Sequence, residues 1–568
     1  MNSPPTPAPE GNQAVAVPII VALGFAGSRY LLEGDSTLDA PGRHGFMAAL
    51  EAHLRDRIAA LPVELGLSPA HVLCGISQVA IGADTLFTRT CAGLELPQRV
   101  FLPQSRDEYL SAFESADTAD FEQHERREAE RLLASPHIIE ERVVSDAANR
   151  GVRFGDANLE IIRVSDVVVC LLREQATTNV GGTVEFLAKA CKRGQPVLEL
   201  RVAEKNGQPH IRECRHNWPG TPAHRGWTPP QLPEGLGATG LSPARSARTN
   251  TPGPAPTPVG NILSRAEPAL QQLARIGDDA SAVQRKHFRY AAQIIIAAHL
   301  TATACAVAIT VASLPSPWTD VLLALEFALL AAGVGTHLWL HRSHAAHSWA
   351  LYRLTAELAI SVQAMRNLRV SLEHLFSLPF PSALRPVLHT MYVLHLVISR
   401  RTVVDWQAAR DAYVRERLEG SRGQIAYYAR ELGRAQARLR LANRCFMVIA
   451  TIALLGTPVK LWLVPWLLGF LPAVDPAQVL PGVEVASSVV AILFPMAAVA
   501  ALSLAASFDL EARVHTYEET LLGLTTIRAG MAQADSAREF EQYALNAERE
   551  LLAETANWAS RRSFTSVT

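Results

Sequence analysis

Two apolar runs separated by a proline-containing break, residues 291–313 and 320–340, constrain this chain more than any other feature. The first reads AAQIIIAAHLTATACAVAITVAS and the second DVLLALEFALLAAGVGTHLWL; the break holds Pro315, Pro317 and Trp318. At about 1.5 Å per residue, each run crosses a hydrocarbon layer of roughly 30 Å as a helix. Two further runs follow at 441–463 and 483–507. Core helices of a soluble protein rarely come as four such nearly uncharged stretches, so four membrane-spanning helices are expected, with the lipid bilayer as a partner.

Charge orients them. Arg285, Lys286 and Arg289 precede the first run, Arg342 follows the second, and Arg434, Arg438, Arg440 and Arg444 precede the third. The turns at 313–320 and 464–482 contain no Lys or Arg. The positive-inside bias therefore puts both termini in the cytoplasm, with two short external turns. Inside the spans, Glu326 and His299 are the polar groups to explain. A carboxyl group there costs about 2.5–3.5 kcal/mol on insertion scales, so Glu326 either lines a polar path or subunit contact or is bonded to a neighbouring helix, with His299 a candidate partner.

The 568 residues exceed what one core can organise, and the net charge of −1 averages a polar portion with an oily one. Without a basic excess, no nucleic-acid partner is expected. The seven cysteines are scattered, mostly in apolar runs, as reduced core thiols are. Cys214 and His216 do not make a metal site by themselves, and neither metal nor cofactor is expected. Residues 1–16, rich in proline and lacking a basic segment before an apolar one, read as a disordered tail.

Residues 17–203 alternate short β-branched runs with helix-forming stretches. VPIIVAL leads into Gly24-Phe25-Ala26-Gly27-Ser28-Arg29; HVLCGI leads into Ser77 and then Gly82-Ala83-Asp84. VSDVVVCLL is followed by Gly181-Gly182-Thr183-Val184-Glu185, which opens a helix, and QPVLELRV closes the set. This pattern predicts a Rossmann-like α/β domain with a mostly parallel sheet, whose ligand crevice lies at the carboxyl ends of the strands. Backbone amides at Gly27, Ser28, Gly181, Gly182 and Thr183 would meet phosphates, with Arg29 adding a charged donor. Asp84 and Glu185 could accept from ribose hydroxyls. Equally, Asp84 reads as a helix N-cap, and Glu185 as a first-turn acid complementing the helix dipole.

Residues 204–280 are dense in Pro and Gly up to about 260 and read as a linker leading to an approach helix. From 281 to 568 the remaining sequence is helical: four spans plus cytosolic helices, an all-α membrane region. Trp349, Tyr352-Arg353 and Glu357 follow the first hairpin, and Glu548, Glu554 and Trp558 lie near the end. Taken alone, the aromatic residues read as packing and Arg353 with Glu357 as a surface ion pair.

The Gly24–Arg29, Ser77–Asp84 and Gly181–Glu185 segments resemble the SLOG superfamily, the Rossmann-like group that includes the Lonely Guy enzymes and DNA-processing protein A. Its Gly-Gly-x-Gly-Thr-x-x-Glu turn cradles phosphate; here that turn is one glycine short and the hydrolases' arginine pattern is absent. The resemblance thus implies binding of a nucleotide or NAD-derived signal at Gly24, Gly27, Ser28, Arg29, Ser77, Gly82, Asp84, Gly181, Gly182, Thr183 and Glu185, without turnover. Trp349-to-Glu357, Tyr427-Tyr428-Ala429-Arg430 and Glu548-to-Trp558 resemble the SLATT family of SLOG-associating membrane effectors, which have two spans where four are expected here. Together the resemblances imply a homo-oligomeric effector of a bacterial antiphage system that permeabilises the inner membrane on ligand binding. The alternatives are a membrane-anchored nucleotide or NAD glycosidic hydrolase using Glu185, and a scaffold for a partner protein.

Overall fold

The structure is a computed structural model. It describes residues 17–32, 38–111, 119–221, 226–233, 259–311, 315–342, 345–401 apart from 369, 373–374, 376–377 and 379, then 405–420, 423–458 and 510–564, with a few positions between 462 and 499. Two units divide the chain: 1–273 with 382–403, and 274–381 with 404–568.

The first unit is built on a seven-stranded sheet. In chain order its strands are β1 (Ile19–Gly27), β2 (His71–Ser77), β3 (Gln98–Leu102), β4 (Ile138–Val143), β5 (Val167–Arg173), β6 (Val197–Lys205) and β7 (Gln208–His216). Spatially the order is β4-β3-β2-β1-β5-β6-β7, parallel throughout except for β7, which runs antiparallel to β6. The helices are α1 (Ala40–Glu64), α2 (Ala83–Gly93), α3 (Arg106–Ser111), α4 (Ala119–Leu133), α5 (Arg150–Val164) and α6 (Thr183–Lys192). Parallel strands buried on both faces need apolar side chains on both sides, and two separate cores meet that need. Phe25, Phe46, Leu50 and Phe87 anchor the core that includes α1 and α2; Ile161, Val168, Cys170 and Phe186 anchor the one that includes α5 and α6. This is the doubly wound α/β arrangement expected from the sequence.

Two of its boundaries differ from that expectation. β7 lies inside the stretch read as a linker, and Trp218 beyond it is buried, so the α/β unit does not close at residue 203. Residues 234–258 of that stretch lie outside the described residues, and α7 (Val259–Val311) follows. The second difference is α10 (Arg385–Arg401), which the sequence assigns to the membrane region and the structure places on the sheet. Thr390 Oγ1 accepts the buried amide of Ile20 at 3.1 Å. Tyr392 donates to Glu140 Oε1 and lies 4.7 Å from the Arg99 guanidinium, which is itself paired with Glu140 at 2.6 Å. Asp166 Oδ2 takes the Ala22 amide at 2.9 Å and lies 3.8 Å from His389 Nδ1. Strand β5 pairs with β1 only from Leu23 onward, so Thr390 and Asp166 supply acceptors where the ladder is open.

The second unit is helical. It contains α7 from residue 274 onward, α8 (Ser316–Arg342), α9 (Ala345–Ala364), α11 (Trp406–Tyr413) running into a π-helical turn at Val414–Leu418, α12 (Gln424–Pro458), α13 (Leu510–Gln533) and α14 (Ala537–Phe564). Among the described residues two helical segments are long and apolar enough to cross a membrane, Ala266–Ile309 and Ser316–Leu340, where the sequence predicts four. The third expected span is described as a continuous helix as far as Pro458, and of the fourth only residues 490 and 493–499 are described. His299 is not the partner of Glu326. Its ring lies against Gly333, where an added Cβ would be 2.9 Å from Cε1, and its Nδ1 meets the Ile295 carbonyl at 2.7 Å. Glu326 is seven residues from Gly333, about 10 Å along α8.

Candidate functional site

Strand order reverses at β1: β2, β3 and β4 step away on one side, and β5, β6 and β7 on the other. At such a switch point the turns leaving adjacent strands diverge and open a crevice at their carboxyl ends. A cleft of about 520 Å³ lies there. Its walls come from the turns after β1 and β5, the β2–α2 turn, the start of α5 and the loop before α6.

Close approach shapes the first wall. Gly82 has φ +86°, and a Cβ there would lie 2.1 Å from the Arg29 carbonyl oxygen, so α2 can start against the β1 turn only at a glycine. Ala83 then donates to the Ser28 carbonyl at 3.2 Å. Asp84, in the first turn of α2, is 5% exposed and lines the cleft. It is not the N-cap, a position Gly82 fills. Burial pushes its carboxyl well above the ordinary range, against the pull of backbone hydrogen bonds from Gln78 and Gly27. Its Oδ1 has no hydrogen-bond partner among the described residues.

The opposite wall is held by side-chain amides. Gln78 Nε2 donates to Asn158 Oδ1 at 2.7 Å, and Asn158 Nδ2 donates to the Gly181 carbonyl at 2.8 Å. Gly181 has φ +75°, and its amide donates to Glu185 Oε2 at 2.7 Å. Lys189 Nζ takes the other Glu185 oxygen at 2.6 Å, and these two contacts hold the carboxyl below its ordinary range. Glu185 therefore clasps the loop that precedes it.

Of the eleven sequence-predicted binding residues, Gly27, Ser28, Arg29, Asp84, Gly181, Gly182 and Thr183 line this cleft together. Four do not. Gly24 is mid-strand against Ser165, Ser77 is buried and accepts from Gln98, Gly82 underlies the Ser28-Arg29 turn, and Glu185 is turned back onto its own loop. The predicted amide cradle also differs. Ser28 N donates to Leu171, Gly182 N to Asn179 and Gly181 N to Glu185, so these donors are already engaged.

Positive charge comes instead from three arginines on three elements: Arg29 after β1, Arg150 opening α5 and Arg173 ending β5. The Arg29 guanidinium lies 5.5 Å from the Tyr30 ring and that of Arg150 5.6 Å from Phe154. The N-terminus of α6 at Thr183 adds the positive end of its dipole. Among the described residues Asp84 is the one acidic side chain that lines the cleft, and its raised pKa favours the uncharged form. Sequence reasoning missed Arg150, Arg173 and the Gln78–Asn158 pair. The arginine ending β5 was findable, since the carboxyl end of a parallel strand at the switch point faces the crevice.

Among the described residues no cluster of His, Cys, Asp or Glu could hold a metal ion. Fold and cleft together define a doubly wound α/β unit with a cationic crevice at its topological switch point. Comparison with protein-family models, with characterised proteins and with solved structures finds no match for this chain.

Proposed function

We propose that this protein is a membrane effector controlled by an anionic small molecule of nucleotide type, which binds in the cleft of the α/β unit. The carrying observation is the convergence of Arg29, Arg150 and Arg173 with the N-terminus of α6 around a cleft whose single acidic side chain among the described residues has a raised pKa. Guanidinium groups bind phosphate through paired, charge-assisted hydrogen bonds, and a low dielectric strengthens them. In this reading the spans lie in a bacterial inner membrane with both termini cytoplasmic, the runs at 441–463 and 483–507 complete a four-helix membrane region, and ligand binding by an oligomer permeabilises the bilayer in an antiphage response.

The hydrolase alternative has less behind it, because Glu185 is engaged by Gly181 and Lys189 and does not line the cleft. Equilibrium dialysis of the detergent-solubilised full chain against AMP, NAD and ADP-ribose tests the proposal. At least one should bind unaltered. Gly182→Trp should abolish binding, since a Cβ at that position would already lie 3.0 Å from the Asn179 carbonyl oxygen and the indole would occupy the cleft. Failure of all three to bind, or equal binding by the variant, would contradict it.

A further inference from the structure

The route from cleft to membrane is written into the order of the chain. The α/β unit takes in residues 382–403, so the polypeptide enters the helical unit at 274, returns to the α/β unit at 382 and leaves it again at 404. The returning segment is α10. Its clasp is polar and specific: Thr390 on the Ile20 amide, Tyr392 on Glu140, and His389 beside the Asp166 that holds the Ala22 amide. These contacts fall on β1, on β4 and on the residue just before β5; β1 and β5 are the strands whose far ends carry Arg29 and Arg173. Ile20 and Gly27 are seven residues apart on one strand, roughly 23 Å.

On both sides of α10 in sequence lie the parts of a buried charged cluster in the helical unit. Upstream, α9 supplies Trp349, Arg353, Glu357 and Ser361; downstream, the π-helical turn supplies Arg417. Arg417 makes a two-point pair with Glu548 of α14, at 2.9 and 2.8 Å, and donates to Ser361 Oγ at 3.2 Å. Tyr413 donates to the same Glu548 at 2.8 Å. Arg353 pairs with Glu554 at 3.3 Å and stacks 4.8 Å from the Trp558 ring, which meets Trp349 edge-on at 4.7 Å. The predicted surface pair of Arg353 with Glu357 is thus replaced by a pairing between helices. The cluster also grips the membrane helix. Trp349 Nε1 donates to Ser281 Oγ of α7 at 3.1 Å, and its ring lies 5.9 Å from Phe288, three residues before the first apolar run.

We infer that α10 is the transmission element, through which occupancy of the cleft changes the hold of the Arg417–Glu548 and Arg353–Trp558 cluster on the cytoplasmic end of the first span. This rests on the ligand-controlled reading above. Coupling requires only that the ligand prefer one of two docked states of α10, because only residues 402–405 separate α10 from α11, the helix that runs into the Arg417 turn, and so leave little slack to absorb a shift. Buried ion pairs suit such a role, since they tolerate few geometries and stabilise little on balance.

The test uses the full chain in vesicles of phosphatidylethanolamine and phosphatidylglycerol, with ADP-ribose and AMP as probes. Hydrogen exchange of residues 281–290 should change when a probe binds the unmutated protein. Thr390→Val and Tyr392→Phe keep the packing of α10 and remove its polar clasp. They should bind the probe as the unmutated protein does, while the carboxyfluorescein release it triggers drops about tenfold. Unchanged exchange at 281–290 on binding, or full release by both variants, overturns the inference and leaves the ligand-controlled reading in place. No binding by the unmutated chain to either probe or to NAD overturns both. The exchange measurement on the unmutated chain decides even where a variant fails to fold.

Discussion

Removing α10 from the α/β unit should unfold it. The helix and the residue before it bury Leu384, Val387, Met391, Tyr392, Val393, Leu394, Leu396 and Val397, each at 8% exposure or less. At about 1.5 kcal/mol per side chain, that burial contributes at most about 12 kcal/mol; the share gained on the sheet is smaller, because denatured chains are themselves compact and residues 391–394 run round the whole helix, of which the sheet covers one side. The lost Thr390 acceptor leaves the Ile20 amide unbonded beside an open strand, costing about 1–3 kcal/mol more. A domain of this kind has only about 5–15 kcal/mol in total. The comparison is between a fragment of residues 1–273 and the same fragment carrying residues 382–403 on a long Gly/Ser linker. The linked form should be soluble and monomeric and melt cooperatively by circular dichroism. The shorter form should aggregate or melt without a transition. Equal melting temperatures for the two would refute the assignment of α10 to this unit.

Three further outcomes follow from particular contacts. Arg150→Gln should weaken nucleotide binding by about tenfold to a hundredfold and flatten its salt dependence, as loss of one charge-assisted contact does; calorimetry that shows no change removes Arg150 from the site. Burial beside Arg99 and Arg385 lowers the His389 pKa to about 3, so the unfolded chain takes up a proton from about pH 6.5 downward that the folded chain refuses, and stability falls as pH falls through that window. Asp166, raised by burial to about 6, acts in the opposite sense between its ordinary 3.8 and 6, where the folded state is the first to take the proton. The advantage of His389→Gln over the unmutated chain should therefore grow by about 3 kcal/mol between pH 7 and 4.5, read from melting curves; parallel curves would refute it. Arg417→Met should destabilise the helical unit by about 3–5 kcal/mol by stranding the fully buried Glu548, and adding Glu548→Leu should restore most of it; a double variant no better than the single refutes the pairing.

What could be read from the chain follows from how each element is buried. Strands β1, β2, β5 and β6 are covered on both faces along most of their length and announce themselves as apolar runs. Strand β7, QPHIRECRH, is an edge strand with mostly polar, exposed positions, so it reads as loop. Strand β4, IIEERV, is buried only at its start. The α10 sequence is visibly helical, yet its partner is a sheet more than 200 residues earlier, and nothing local to a helix names what it packs on. Within the cleft, Asp84 and the Gly181-Gly182-Thr183 turn were legible from their place after a strand. Gly24 and Gly82 were not separable from ligand-contacting glycines, because a glycine needed for packing and one needed for a ligand look alike in sequence. Trp349 and Trp558, read as packing residues, do pack, though against each other across the helical unit.

The central claim is that an anion in the cleft governs the membrane helices. Carboxyfluorescein release from vesicles holding the full chain, measured with and without ADP-ribose or AMP for the unmutated protein and for Arg173→Glu, tests it most directly. The account predicts release by the unmutated protein only with a nucleotide present, and little or none by the variant at any concentration that saturates the former. Equal release with and without nucleotide, or the same response from both proteins, would contradict it.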